Sequence, residues 1–417
     1  MPTDLLALAE AACAGCADRI GMAKIAKAAF DGQDLKPIWA ALLGKLLDGT
    51  AAPGEGLDLA LVGQLIGEKS SALAIQHDVL QAQQLYRVAG NSPAPRLRVL
   101  ALAASTDMGS NTPIEFLLEE TDIALMLLYV VPGAELPSPL PAHDVAIVIA
   151  SDSEDCQHAL REIDAVAARW PRPLLNPPER IWHLDRDKLH ALLAGIEGLC
   201  IPATVPVDRD RLIEVADERE LITDVHAELG FPVIVRPRGS HAGVGLEKIE
   251  EPIELSLYLD ERDEQEYFVA RFVDYASEDG QFRKYRIVFV DGVAYACHMA
   301  IARRWDIWYL NAGMAGSESK RLEEATFMQT FDIGFGRRHR SVLDAIAARI
   351  GLDYFIIDCA ETKDGALLVF EADNTAVVHN MDPPDVFPYK PPQMQKIFAA
   401  FAAMIAKHAA LAAERAA

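Results

Sequence analysis

The chain has 417 residues, more than one hydrophobic core usually serves, which predicts roughly two to three domains. Hydrophobic residues make up 51% and charged residues 24%, a balance that excludes wholesale disorder. The formal net charge of −23 argues against nucleic acid and anionic membranes as partners.

No uninterrupted apolar run reaches the roughly 20 residues that a bilayer crossing needs. The first residues, MPTDLLALAEAACAG, carry Asp4 and Glu10 where a secretory signal would be basic, so none is expected. The sparse cysteines Cys13, Cys16, Cys156, Cys200, Cys297 and Cys359 fit a reducing compartment, and a cytoplasmic location is expected. Cys13 and Cys16 have redox-motif spacing, but they lie in an Ala-rich stretch that no strand precedes. They read as helix-packed thiols.

Residues 1–92 read as a helical segment. In LDLALVGQLIGEKSSALAIQHDVLQAQQLYR the apolar residues recur at helical spacing, with a break at Gly67. This is similar to one hairpin of a tetratricopeptide-like array, and it predicts a packed cap, a dimerisation arm or a surface for a protein partner.

Residues 93–178 change character. RLRVLALAA, ALMLLYVV, DVAIVIA and RPLLN read as four strands. Thr112 and Pro113 start one helix and Cys156 to Trp170 form another, so a parallel, doubly wound, Rossmann-like sheet is expected. Ligands of such sheets sit at the carboxyl ends of strands, which draws attention to residues 105–111, although Asp107 and Asn111 also suit simple turns.

Residues 179–417 alternate differently, as α+β with antiparallel sheets. A helix near Leu184 to Leu193 precedes the strand FPVIVRP and a Gly-rich loop. EYFVARFV and KYRIVFVDGVAYACHMA are strands, the latter turning at Asp291 and Gly292. DYFIIDCAETKDGALLVFEAD is a hairpin, and an Ala-rich helix runs from Pro392.

Two segments carry chemistry. In RPRGSHAGVGLEKI, glycines 239, 243 and 245 free the backbone to present N–H groups to phosphate oxygens, though the same segment suits a long hairpin. It is neither a Walker loop nor a dinucleotide fingerprint. In the hairpin, Asp358 ends one apolar strand, and Glu371 and Asp373 share a face near the end of its partner. Three converging carboxylates call for a cation, and an all-oxygen set suits magnesium. Cys359 faces away from Asp358 and reads as core. Basic residues also crowd one stretch: Arg283, Lys284, Arg286, Arg303, Arg304, Lys320, Arg321, Arg337, Arg338 and Arg340. They are either solvated faces or a local anion site.

A strand, a PxxG…GxG loop, a second strand and, far downstream, acidic residues on a hairpin together resemble the ATP-grasp superfamily, in its glutathione-synthetase and ribosomal-protein-glutamate-ligase branch. The resemblance covers residues from about Asn176 onward and more loosely the α/β domain before them. It implies a central subdomain over 179–270 and a C-terminal subdomain over 271–417.

By that resemblance, Asn176 with Pro177 and Pro178 opens the catalytic region. Lys188 matches the first nucleotide lysine, and Arg236 stands where a second is usual. Ser240, His241, Gly243 and Gly245 belong to the loop that closes over the triphosphate. Arg271, Val273 and Asp274 fall in the adenine and ribose hinge. Arg286, Arg303 and Asn311 match residues at the phosphate and acyl groups. Asp358 and Glu371 match two magnesium ligands, and either Asp373 or Asn374 supplies the third. His298 is a further candidate contact, and residues 374–390, with His379 and Lys390, are a candidate substrate-facing loop.

The activity implied is ATP- and magnesium-dependent joining of a carboxylate to an amine, on small molecules or peptides, through an acyl phosphate. A phosphotransferase and a non-catalytic nucleotide-binding adaptor are the alternatives.

Overall fold

The structure is a computed structural model that describes residues 15–88, 94–240 and 243–416. Cys13, His241 and Pro93 lie outside them.

The first sheet holds β1 (Ala17–Arg19), β2 (Leu85–Val88), β3 (Leu97–Ala104), β4 (Ile123–Val130), β5 (Val145–Val148) and β6 (Leu174–Leu175). Their order is β1-β2-β4-β3-β5-β6. β3, β4 and β5 are nearly continuous apolar runs because both sheet faces are covered. The expected all-parallel sheet is corrected at one edge, where β2 pairs antiparallel with β4. The reading of residues 1–92 as helices alone is corrected too. β1 and β2 enclose the helices Met22–Phe30, Lys36–Leu47, Pro53–Leu65 and Lys69–Ala82, and both strands join this sheet. Short strands of three and four residues carry too little period-two pattern to be seen beside helical runs.

The four helices form a cap. The buried Arg19 donates to Asp58 at 3.0 Å, and Asp58 also accepts the Ile20 N–H at 2.6 Å, which ties β1 to the helix Pro53–Leu65. Within the cap, a Cβ at Gly63 would stand 2.5 Å from the Trp39 ring, so only glycine allows that approach. The cap covers residues 105–111: Gln64 accepts the Met108 N–H at 2.9 Å and Lys69 pairs with Asp107 at 2.6 Å. Asp107 accepts from Gly109 N and Ser110 Oγ, and Asn111 bonds both N–H and C=O of Ala104. These are the turn roles that the sequence also suggested.

β7 (Leu199–Cys200) passes to the last sheet. β8 (Thr204–Asp208), β9 (Val233–Pro237), β10 (Glu247–Ile249) and β11 (Glu266–Arg271) make an antiparallel sheet ordered β10-β9-β11-β8. The helices Arg209–Ala216 and Pro252–Asp260 bury Leu212, Val215, Leu255 and Leu259 against Val235 and Val269, so this lobe has its own core. It therefore begins at β8 and not at residue 179, because the helix Arg186–Leu193 packs into the main core through Leu189 and Leu193.

β12 (Phe282–Val290), β13 (Val293–Ala302), β14 (Tyr354–Glu361) and β15 (Leu367–Asp373) form the last sheet with β7, ordered β13-β12-β14-β15-β7. The first and last sheets share one continuous core. The helix Lys390–Ala416 closes it with Ile397, Phe401, Met404 and Ile405 buried. By length and mean hydropathy its stretch Lys390–Glu414 is apolar enough to cross a membrane, although polar and charged residues such as Lys396, Lys407 and His408 interrupt it. The buried stripe accounts for its large apolar residues, and alanine for much of the rest.

Asn176 joins the two sheets. It is fully buried with φ 49°, donates Nδ2 to Tyr354 O at 2.7 Å, and accepts at Oδ1 from the N–H groups of Asp353 and Tyr354 at 2.9 and 3.0 Å. Replacing Asn176 with Ala leaves three backbone groups unpaired inside the core. At about 1 kcal/mol or more per group it should lower unfolding stability by about 3 kcal/mol in denaturant titration. A loss below about 1 kcal/mol would contradict this role.

Candidate functional site

The site lies where the β8–β11 lobe meets the last sheet. Strand register sets its centre: Asp358 on β14 stands opposite Arg286 on β12 and Glu371 on β15. Asp358 is buried. Its Oδ1 accepts from Arg286 Nε at 2.8 Å, and its Oδ2 from Arg286 Nη2 at 3.0 Å and Lys284 Nζ at 2.7 Å. Burial alone would raise the Asp358 pKa, but Arg286 and then Lys284 outweigh it and hold the carboxyl far below its ordinary range.

Glu371 is paired with Arg186, the first residue of the helix Arg186–Leu193. Burial would raise its pKa, and Arg186 pulls it below the ordinary value. Arg236, on β9, completes the cluster from the other lobe. It is buried and donates to Ser240 Oγ at 3.2 and 3.1 Å, which holds the start of the Gly-rich loop. Burial, then the charge of Arg186, lowers its pKa to about 10. Two guanidiniums, Arg236 buried and Arg186 partly buried, thus repel each other beside Glu371.

The loop between β9 and β10 is the expected one. Gly239, Gly243 and Gly245 all have positive φ, and a Cβ on Gly245 would meet Pro237 at 2.6 Å. Tyr258 OH donates to Gly245 O at 2.7 Å. The side of the loop that carries His241 is outside the described residues.

Several expected contacts are corrected. The three-carboxylate centre is not preformed: among the described residues no group of three His, Cys, Asp or Glu side chains could hold a metal. Asp358 is taken up by two cations, and Asp373 turns onto Thr375, accepting its N–H at 2.6 Å and its hydroxyl at 2.8 Å. Asn374 is held on the other side, and its Oδ1 is buried without a hydrogen-bond partner among the described residues. Strand alternation turns it to the first sheet, where Nδ2 donates to Ala150 O at 2.9 Å and Thr112 Oγ1 donates to its carbonyl at 2.7 Å. Lys188 is half-exposed, 3.9 Å from Asp185, and Arg186 takes the inward position on that helix. Asn311 caps its own turn, accepting from Trp308 N at 3.0 Å and donating to Asp306 O at 3.2 Å. Arg303 is exposed just past β13 and, among the described residues, makes no ion pair. Asp274 is paired with Lys363, Val273 is half-buried in a small apolar cluster, and Arg271 is exposed at the end of β11.

Of the basic stretch, only Lys284 and Arg286 enter the site. Arg283 pairs with Asp279 and Glu323, Arg304 with Asp306, and Arg338 with Glu361. Cys359 is buried in the core as expected.

The sequence gives little warning of three other residues. Arg186 looks like a surface residue until helix phase is known, and Lys284 is one of ten basic residues in its stretch until strand register singles it out. Asp152, just past β5, approaches Asp373 and Asp185, and burial followed by those two charges raises its pKa to about 7. Beyond Arg286 lies a second buried polar group. Lys390 pairs with Asp382 at 2.8 Å and Glu324 at 3.5 Å, over the Tyr309 ring at 4.2 Å. Tyr309 in turn packs, tilted by 46°, against His298, whose pKa burial drives well below its ordinary value.

Magnesium commonly takes one or two protein carboxylates and completes its shell with substrate phosphates and water. The in-register, oxygen-only pair Asp358 and Glu371 fits that demand, provided their present cations shift to the phosphates.

No family model and no curated protein matches the chain. Solved structures do align with it. The RimK domain protein ATP-grasp from Sphaerobacter thermophilus is 17% identical with a TM-score of 0.44, covering 75% of this chain and 99% of that one. A D-alanine–D-alanine ligase from Bacillus anthracis complexed with ATP is 13% identical at 0.44, covering 75% and 96%. The VanG D-Ala:D-Ser ligase from Enterococcus faecalis is 11% identical at 0.45, covering 74% and 100%.

Both site carboxylates have folded pKa values below their unfolded ones, so the stability they add is present above the unfolded value of about 4 and is lost as pH falls through the folded values. The thermal midpoint should therefore drop as pH falls below about 4, and less steeply in Asp358→Asn, which starts from a lower midpoint. Identical acid slopes for the two proteins would contradict the pairing.

Proposed function

We propose that this chain is a cytoplasmic, ATP-grasp-type carboxylate–amine ligase that uses ATP and magnesium and releases ADP and phosphate. The observation that carries the reading is the buried Arg236 with the partly buried Arg186 beside the Asp358–Glu371 carboxylates. Two guanidiniums held close against their repulsion, next to oxygen ligands for a hard cation, suit a triphosphate better than any neutral ligand.

The chemistry follows from exchange of partners. Arg186, Arg236 and Lys284 turn from Glu371, Ser240 and Asp358 to phosphate oxygens. Glu371 and Asp358 are then the residues that would hold magnesium, which neutralises charge on the β- and γ-phosphates. The backbone N–H groups around Gly243 and Gly245 cover the transferring group and exclude water. Arg286, fixed on Asp358, faces the acceptor side and stabilises charge that spreads during transfer. The acceptor carboxylate takes the γ-phosphoryl group, and an amine then displaces phosphate to give an amide. The chain supplies no covalent nucleophile; its part is position and electrostatics.

The test is ADP and phosphate release with ATP, magnesium and a pool of amino acids and short peptides. Dependence on both a carboxylate and an amine is expected. ADP formed with a phosphate acceptor alone and no free phosphate would favour a phosphotransferase, and binding without turnover would favour an adaptor. Glu371→Ala should abolish turnover while leaving the far-ultraviolet dichroism unchanged. Arg186→Met should raise KM for ATP about tenfold or more, the worth of one charged hydrogen bond, whereas Lys188→Met should change it less than about twofold. The reverse ranking would return the nucleotide contact to Lys188.

A further inference from the structure

Beside Arg286 the strand floor of the site ends and residues 374–390 begin. Arg286 Nη1 donates to Val377 O at 3.4 Å, which fixes this segment to the catalytic face. Two residues on, His379 packs against two phenyl rings. Phe30 ends the first cap helix and Phe116 belongs to the first sheet's layer; their centroids are 5.8 and 6.2 Å from the imidazole, tilted by 56° and 55°. Phe116 is buried, whereas Phe30 is 41% exposed and Val377 is 45% exposed. An apolar surface thus adjoins the charged site, and its outer edge comes from the cap.

The His379 ring is oriented and its tautomer is set. Nδ1 accepts the Met381 N–H at 3.0 Å, so Nε2 carries the proton and is the donor left for a ligand. Burial lowers the His379 pKa despite Asp382, with Lys390 and Arg286 adding to burial, so the ring stays neutral at neutral pH. The Lys390–Asp382 pair closes the far end of the segment. A ligand here meets flat apolar walls, one neutral N–H donor and, at Arg286, the reacting centre.

We propose that Phe30, Val377 and His379, backed by the buried Phe116, form a subsite for an aromatic or branched apolar side chain of the acceptor, with the helix Met22–Phe30 as its outer wall. The inference rests on the ligase reading of the adjoining site. It makes the N-terminal cap a determinant of substrate choice.

Saturation-transfer NMR on the full chain, with a non-hydrolysable ATP analogue and magnesium, tests it using L-phenylalanine, L-leucine and glycine as probes. Transfer to the ring and methyl protons is expected, with little to glycine. Phe30→Ala should weaken L-phenylalanine binding about tenfold and leave analogue affinity within about twofold; Leu47→Ala, exposed elsewhere on the cap, should change neither. Transfer to glycine equal to that of L-phenylalanine, no transfer at all, or equal effects of the two substitutions would overturn the subsite. L-phenylalanine binding that Phe30→Ala weakens, with no ADP formed whatever amine is added, would instead overturn the ligase reading and keep the subsite.

Discussion

The site depends on the clamp that Lys284 and Arg286 place on Asp358. One buried carboxylate accepts three hydrogen bonds from two cations on the neighbouring strand. A buried ion left single would be costly, so the clamp fixes which residues of β12 and β14 face inward. Register then does the rest: with Asp358 opposite Glu371, the carboxylate pair stands at the lobe boundary, and Arg186 and Arg236 are drawn to it from the helix and the strand that flank it. The clamp also stores the means of its own exchange. Cations that neutralise carboxylates before nucleotide arrives are the same ones that suit phosphate afterwards.

Around this centre the chain is held by a few buried polar joints. Asn176 binds the last strand of the first sheet to β14, and Asn374 with Thr112 binds the end of β15 to the end of β5. These joints bring Asp152 and Phe116 to the catalytic face. They also explain why the first and last sheets share one core, while the β8–β11 lobe keeps a separate one. A lobe with its own core can shift as a unit, taking Arg236 and the Gly-rich loop with it, as the proposed triphosphate site would require.

Much of this was legible in the residues. Long apolar strands such as LRVLALAA and the turns at Asp291-Gly292 and Asp364-Gly365 carry their own periodicity and turn chemistry, and the structure has them where they were expected. The carboxylates Asp358 and Glu371 stood out because acids end otherwise apolar strands. What failed did so for physical reasons. Helix phase turns Arg186 inward, while Lys188, two residues on, is half-exposed. Strand alternation turns Asn374 to the first sheet, away from Asp373. Asn311 has the residue type of a catalytic group but spends its side chain on its own turn. The edge strands β1 and β2 are too short to show a period, so the cap was read as separate from the sheet that it completes.

The most direct measurement is a crystal structure of the full chain with a non-hydrolysable ATP analogue and manganese in place of magnesium, located by anomalous scattering. The metal should lie between Glu371, Asp358 and the phosphates, with Arg186, Arg236 and Lys284 on phosphate oxygens. Nucleotide bound elsewhere, or Asp358 and Glu371 still held by Lys284 and Arg186 with no metal between them and the phosphates, would contradict a partner-exchange site for a magnesium triphosphate.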